Sequence, residues 1–362
     1  MDGDNDVDIV TTSFDLDSVI WFENLNGTGN FGDQRIISNT ILFAYALHTA
    51  DLDNDSDLDI VVTPEQSDSL FMFTNLDGLG NFGATQTIAS ILTNGRAVKA
   101  ADIDGDKDIL TSFNENNSIA WFENDGQGNF ATVNFVSNDT SGVETFDVAD
   151  IDGDGDLDVI IGISSLNTIR WYENLNGTGN FGAAKLISAG ADFVRAIHAV
   201  DADNDTDIDI ISANALSDEL TWFENESGTG NFGPKKLIGP MENSRTIFAA
   251  DLDGDGDQDV LSGSREVSAN DTVVWFPNQT VLSVYENPLE KITVFPNPVD
   301  DLLYIRSLVP ILQIKFFDIT GKEVLSCKNV QQNVDVSQLS SGTYIVEIHT
   351  VSGSIRKKFV KQ

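Results

Sequence analysis

The sequence predicts an all-β chain in two parts. A six- or seven-bladed β-propeller spans residues 1–283, and after a linker at 284–291 a small Ig-like β-sandwich spans 292–362. Three observations predict it. Two signatures recur together about every 50 residues, each repeat reads as four short strands without helical period, and the charge balance reverses where the repeats stop.

The first signature is an aspartate ladder: Asp51-Leu-Asp-Asn-Asp-Ser-Asp-Leu-Asp59, then Asp150 to Asp158, Asp201 to Asp209 and Asp251 to Asp259. The second is an aromatic strand with a Gly/Asn turn, Trp21-Phe-Glu-Asn-Leu-Asn-Gly-Thr-Gly-Asn-Phe-Gly32. It repeats from Trp121, Trp171 and Trp222, with Met72-Phe73 in the aromatic place of one copy and Trp275-Phe-Pro-Asn278 as the last. Within a unit, Arg195–Val200 leads into the ladder and Ile208–Ile211 leaves it. Leu220–Phe223 follows a polar loop, and Lys236–Ile238 follows the turn. Four strands in a repeat of this length match a propeller blade, whose radial packing protects strand edges, and the repeat is too long for a β-helix coil. Large aromatics at one fixed place per unit are expected to pack sheet against sheet rather than to stack a ligand.

The array is irregular at both ends. The first ladder, Asp2, Asp4, Asp6 and Asp8, lacks its first position and the strand before it, and the last unit has no clear fourth strand. Met1 is followed directly by Asp2-Gly3-Asp4, without the basic and apolar stretches of a signal peptide. The expectation is therefore that upstream sequence is missing, carrying a signal peptide and part of another blade.

The net charge is −38, and only 6 of the 58 acidic but 9 of the 20 basic residues fall from Lys291 onward. A repeat region this acidic repels nucleic acid and anionic lipid, which excludes both as partners. Apolar runs are too short for a membrane-spanning helix. Cys327 is the single cysteine, so there is no intrachain disulfide and no cysteine-based zinc site. Rigidity must then come from elsewhere, and metal would supply it.

Calcium takes six to eight oxygens. Aspartates at positions 1, 3, 5 and 9 of a tight loop offer four carboxylates, and position 7 offers a backbone carbonyl. Carboxylates so close repel one another without a cation. An EF-hand loop shares the start of this pattern but needs Glu at position 12, where this chain has Val62, Ile161, Ser212 or Ser262.

The ladder, the aromatic strand and their spacing together resemble the FG-GAP and VCBS repeats of integrin-alpha-like propellers, with the pattern Asp-x-Asp-x-Asp-Gly-x-x-Asp, over roughly residues 1–280. The resemblance implies Ca²⁺ held between the first two strands of a blade. The implied ligands are Asp51, Asp53, Asp55 and Asp59 with the Asp57 carbonyl, and Asp150, Asp152, Asp154 and Asp158 with that of Asp156. In the next two units they are Asp201, Asp203, Asp205 and Asp209 with Asp207, and Asp251, Asp253, Asp255 and Asp259 with Asp257. The partial loop Asp2–Asp8 departs from the pattern. So does Asp102-Ile-Asp104-Gly-Asp106-Lys-Asp108, two residues short with Lys107 inside, where weak binding is expected. About four to six structural calcium ions follow.

From Ile292 the text changes to Val294-Phe-Pro-Asn-Pro-Val-Asp300, Ile314–Lys322, Val334–Val346 and the closing Lys357–Gln362, about seven alternating strands with glycine turns. This segment resembles the type A sorting domain of the type IX secretion system of Bacteroidota. The resemblance implies a partner in that machinery and a secreted or outer-membrane-surface location.

No Ser/His/Asp set, cysteine nucleophile or phosphate loop appears, so no catalytic residue is assigned. His48 and His198 occupy equivalent positions three residues before a ladder, and His349 lies in the tail. Six residues before the ladders stand Tyr45, Arg96, Glu144, Arg195 and Arg245, at the start of the innermost strand and on the face opposite the calcium loops. The loops Thr63–Ser69, Phe113–Ser118, Ser164–Thr168, Ala213–Glu219 and Gly263–Thr272 share that face. Tyr45, Arg96, Arg195 and Arg245 are candidate ligand contacts, the arginines gripping a carboxylate or sulfate or else neutralising Glu144 and nearby acids. Three functions stay open: a non-catalytic binding or adhesion module for extracellular glycan or a surface protein, a polysaccharide lyase or hydrolase, and a structural spacer.

Overall fold

A computed structural model describes residues 1–90, 94–113, 118–137, 142–265, 272–278, 292–307, 310–328, 333–350 and 353–362. The predicted linker 284–291 lies outside the described residues, as do parts of the loops Phe113–Ser118 and Gly263–Thr272. The chain divides into two units, Met1–Gln279 and Thr280–Gln362.

In the first unit, short runs of β-branched and aromatic residues punctuated by Gly, Asn and Asp form, among the described residues, six antiparallel sheets whose strand order follows chain order. Four of these sheets have four strands. The first (Ile9–Ser13, Ser18–Phe22, Arg35–Ser38) and the sixth (Ser244–Ala250, Asp259–Ser264, Val273–Phe276) have three. The strands that leave the ladders, such as Asp59–Pro64, Asp158–Ile163 and Asp209–Asn214, are buried along their whole length. Each is covered on both faces, which is why small and apolar residues dominate these strands and their polar members, such as Ser212 and Asn214, are buried with hydrogen-bond partners.

The strands that enter the ladders, Ala44–Ala50, Gly95–Asp102, Val143–Ala149, Val194–Val200 and Ser244–Ala250, lie beside one another from sheet to sheet. The core sits between successive sheets. Leu110 and Trp121 pack with Phe146 and Val159, and Ile160 and Trp171 with Ile197 and Phe223. A single 3₁₀ turn, Ser164–Leu166, is the only helical element among the described residues.

Among the described residues, the second unit has seven strands in two sheets, one of three and one of four. Their facing side chains, among them Leu303, Ile305 and Val334 from one sheet and Ile314, Phe316, Val346 and Phe359 from the other, form one core. Tyr344 also joins it, donating its hydroxyl hydrogen to the Ser340 carbonyl at 2.8 Å.

Candidate functional site

The aspartate loops share one construction. Loop positions 4 and 6 take left-handed backbone, at Asn54, Ser56, Asn204, Thr206, Gly153, Gly155, Gly254 and Gly256. Glycine and asparagine reach that region at little cost, whereas Thr206 at φ 80° is strained by its branched Cβ. The curled backbone aims amides inward at the position 1 carboxylate: Asp150 accepts from Gly153 and Gly155, Asp201 from Asp205 and Thr206, and Asp251 from Gly254 and Gly256.

This curl draws carboxylates together. Oxygens of Asp51, Asp53 and Asp55 lie within 4.8 Å of one another, as do those of Asp201, Asp203 and Asp205 and of Asp251, Asp253 and Asp255. In the fourth sheet the groupings are Asp150, Asp152 and Asp158, and Asp152, Asp154 and Glu173. Buried Oδ1 atoms of Asp51, Asp53, Asp152 and Asp203 have no hydrogen-bond donor. Burial, then the neighbouring carboxylates, pushes Asp53 and Asp203 above the ordinary range. Orphaned, crowded carboxylate oxygens fit a hard divalent cation, which would neutralise the repulsion. Among the described residues, neither Asp102, Asp104 and Asp106 nor Asp2, Asp4 and Asp6 form such a group.

Position 9 clasps the backbone, and of its aspartates only Asp158 joins one of these carboxylate groups among the described residues. Asp59, Asp158, Asp209 and Asp259 are fully buried, and each accepts one hydrogen from the amide of loop position 2 and one from the Asn that ends the aromatic strand. In the shortened loop Asp108 takes this place, accepting from Ile103 at 3.2 Å and Asn124 at 2.9 Å. Burial raises four carboxylates of this kind, Asp59 and Asp209 to about 6 and Asp108 and Asp158 to about 7. Position 7 side chains lie elsewhere. Asp57, Asp156 and Asp207 sit against the first turn glycine (Gly78, Gly177, Gly228), where any Cβ would overlap the carboxylate.

The same Asn joins sheet to sheet. Asn75, Asn124, Asn174, Asn225 and Asn278 donate from Nδ2 to the position 2 carbonyls of the preceding sheet, at Met1, Leu52, Ile103, Ile151 and Ala202, over 2.7–3.0 Å. One turn further, Gly80, Gly179 and Gly230 lie flat on Trp21, Trp121 and Trp171 of the preceding sheet, leaving no room for a side chain. These tryptophans are buried between sheets and unavailable for ligand stacking.

Tyr45, Arg96, Glu144, Arg195 and Arg245 each sit at a β-bulge, where the register with the next strand slips. A bulge re-aims its residue out of the pleat. All five line one pocket of about 420 Å³, which a loop residue that the spacing had not singled out, Arg265, also lines. Arg195 is ion-paired with Glu144 across the sheets, and Arg96 with Glu65. Arg96 also lies 5.5 Å from the Tyr45 ring centroid.

Three residues further along these strands a second charged group appears. His198 Nδ1 is 3.0 Å from Asp147 Oδ2, and Lys99 is ion-paired with the same carboxylate. Burial alone would raise Asp147, but the His198 hydrogen bond and the Lys99 charge outweigh it and hold it at about 2. Burial, then Lys99, lowers His48 to about 4. Asp147 and Lys99 stand where the other units have His48 and His198, a signal the spacing contained.

The FG-GAP-like repeat family matches at residues 1–62, 51–109, 104–161 and 201–262, and the secretion system C-terminal sorting domain at 293–362. A sequence search of curated proteins finds no match. Among solved structures, the chain is similar to a lectin from Agrocybe aegerita that recognises non-reducing terminal N-acetylglucosamine, with TM-score 0.55, 21% identity and coverage of 77% of this chain and 79% of that one. It is also similar to an auxiliary nutrient binding protein from Bacteroides thetaiotaomicron, with TM-score 0.51, 10% identity and coverage of 76% and 68%. PorZ, a surface component of the type IX secretion system of Porphyromonas gingivalis, aligns with TM-score 0.43 and 14% identity over 98% of this chain, which spans 51% of PorZ. At these identities the likeness is one of fold.

Proposed function

This chain belongs to the FG-GAP-like repeat family, and on that premise we propose that its repeats form a calcium-stiffened β-propeller of six or seven blades, a non-catalytic binding or adhesion module for extracellular polysaccharide or a surface protein. The C-terminal sorting domain engages the type IX secretion machinery, which makes the protein a secreted or outer-membrane-surface one. The proposed calcium ligands are the aspartates at loop positions 1, 3, 5 and 9 of the four full ladders, and the tail is read as an Ig-like sandwich.

The observation that carries the binding reading is a contrast between equivalent positions. Where a side chain clasps its own loop or joins sheet to sheet, the units agree: Asp59, Asp108, Asp158, Asp209 and Asp259 in the first role, and Asn75, Asn124, Asn174 and Asn225 in the second. At the five bulged positions around the pocket they differ, as Tyr45, Arg96, Glu144, Arg195 and Arg245. Packing repeats in every unit, whereas a single ligand is not symmetric. The test is binding of the calcium-loaded full chain to arrays of glycans and surface proteins, repeated with chelator. Retention of a ligand set supports the module, and none from folded protein overturns it.

The Asp147–His198 pair favours a second reading, a polysaccharide lyase or hydrolase. That reading requires shortened products from an anionic glycan, and their loss in Arg195→Ala.

A further inference from the structure

Four of the 11 basic residues in the strongly acidic first 290 positions, Arg96, Arg195, Arg245 and Arg265, line one pocket. Two are already matched by acids, Arg96 by Glu65 and Arg195 by Glu144. Arg245 and Arg265 have no carboxylate partner among the described residues. Burial, then the charges of Arg195 and Arg265, pushes Arg245 below the ordinary guanidinium range, so these cations repel one another across the pocket. The Nε atoms of Arg96, Arg195 and Arg245 are buried without an acceptor. A protein carrying −38 overall has thus left two positive charges and three buried donors unmet in one cavity.

We propose that this pocket is a subsite for one sugar acid, whose carboxylate is taken by Arg245 and Arg265, whose hydroxyls are met by Glu144 and whose ring lies on Tyr45. The proposal rests on the binding-module reading and names its ligand class. A planar guanidinium pairs a carboxylate through two parallel hydrogen bonds, which would give Arg245 its missing acceptor and cancel the repulsion between Arg245 and Arg265. Glu144 gives one oxygen to Arg195 and keeps the other to accept from a hydroxyl. Tyr45 is 42% exposed, and an amphipathic ring at the rim of a pocket suits the apolar face of a sugar. The cavity, about 420 Å³, is of small-ligand size. An acidic peptide would satisfy the arginines but bring no hydroxyl to Glu144, whose charge would oppose it.

The experiment is calorimetric titration of the calcium-loaded full chain with trigalacturonate, neutral trigalactose and a polyglutamate peptide. It is repeated in Arg245→Gln, Arg265→Gln and the control Arg35→Gln, whose arginine pairs with Glu23 on an outer strand. The expected result is binding of trigalacturonate alone. It weakens at least about tenfold in each pocket variant, the worth of one charge-assisted bond, and not in the control. Arg265 lies on an exposed loop, so its variant stays informative if Arg245→Gln fails to fold. Equal binding of trigalactose, unaffected by either variant, overturns the acid site and leaves the binding module standing. Capture of polyglutamate in place of the sugars overturns the sugar assignment. Silence toward all three probes from folded protein also overturns the proposal, and only a silent glycan and protein array would take the module reading with it.

Discussion

Replacing Asn225 by Ala should open one seam between sheets. The side chain is fully buried and makes three bonds: Nδ2 donates to Ile151 O at 2.8 Å and to Ile208 O at 3.3 Å, and Oδ1 accepts from Gly230 N at 3.1 Å. Alanine leaves two carbonyls and one amide unmet in a dry interior. At about 1 kcal/mol each, the expected cost is about 3 kcal/mol, or a fall in Tm of about 6–12 °C for a unit of this size. All five tryptophans lie before residue 276, so denaturation followed by their fluorescence reports the first unit alone. Ile151 is also the second residue of the Asp150–Asp158 loop. A cation in that loop and the Asn225 bond favour the same backbone, so the cost should be larger in calcium than in chelator. Asn231→Ala, which removes an exposed bond to Thr229, is the control and should cost less than about 0.5 kcal/mol. If Asn225→Ala is no more costly than this control, the seam is not held as described.

Three further outcomes are expected. Asp203→Asn should lower the number of calcium ions bound per chain by one, measured by atomic emission after gel filtration, and a loop occupied at about 100 times its Kd should add about 2.7 kcal/mol to stability. Thr206→Gly should raise stability by about 1 kcal/mol in thermal melts, because glycine occupies φ 80° without strain. His48, lowered to about 4, is neutral in the fold but titrates near 6.5 unfolded, so its contribution is present above pH 6.5 and lost as pH falls toward 4. At pH 5 that loss is up to about 2 kcal/mol, and melts of His48→Gln between pH 7 and 4.5 should show a correspondingly flatter profile.

Much of the candidate site was legible in the sequence. The ladder spacing marked the loops, the strands fell where Arg195–Val200, Ile208–Ile211 and Leu220–Phe223 were read, and the five pocket residues were found by counting six back from each ladder. Arg265 was missed because it belongs to a loop whose length differs between units, so no equivalent position pointed to it. Asp147 and Lys99 were missed because only their histidine counterparts were compared. The buried duty of position 9 was invisible because a carboxylate that binds metal and one that clasps two amides require the same residue at the same spacing.

What the sequence determined by itself is local. Strand runs and clustered aspartates follow from contacts within one repeat, where order along the chain is nearly order in space. What only the tertiary structure decided is which groups meet between repeats. Glu65 meets Arg96 across 31 residues, Asp147 meets His198 across 51, and Asn225 meets the Ile151 carbonyl across 74. Those pairings depend on which sheet packs against which and on a one-residue bulge that turns a side chain from the pleat into the pocket. Both are set by the summed burial of whole sheet faces, which no single residue or spacing records.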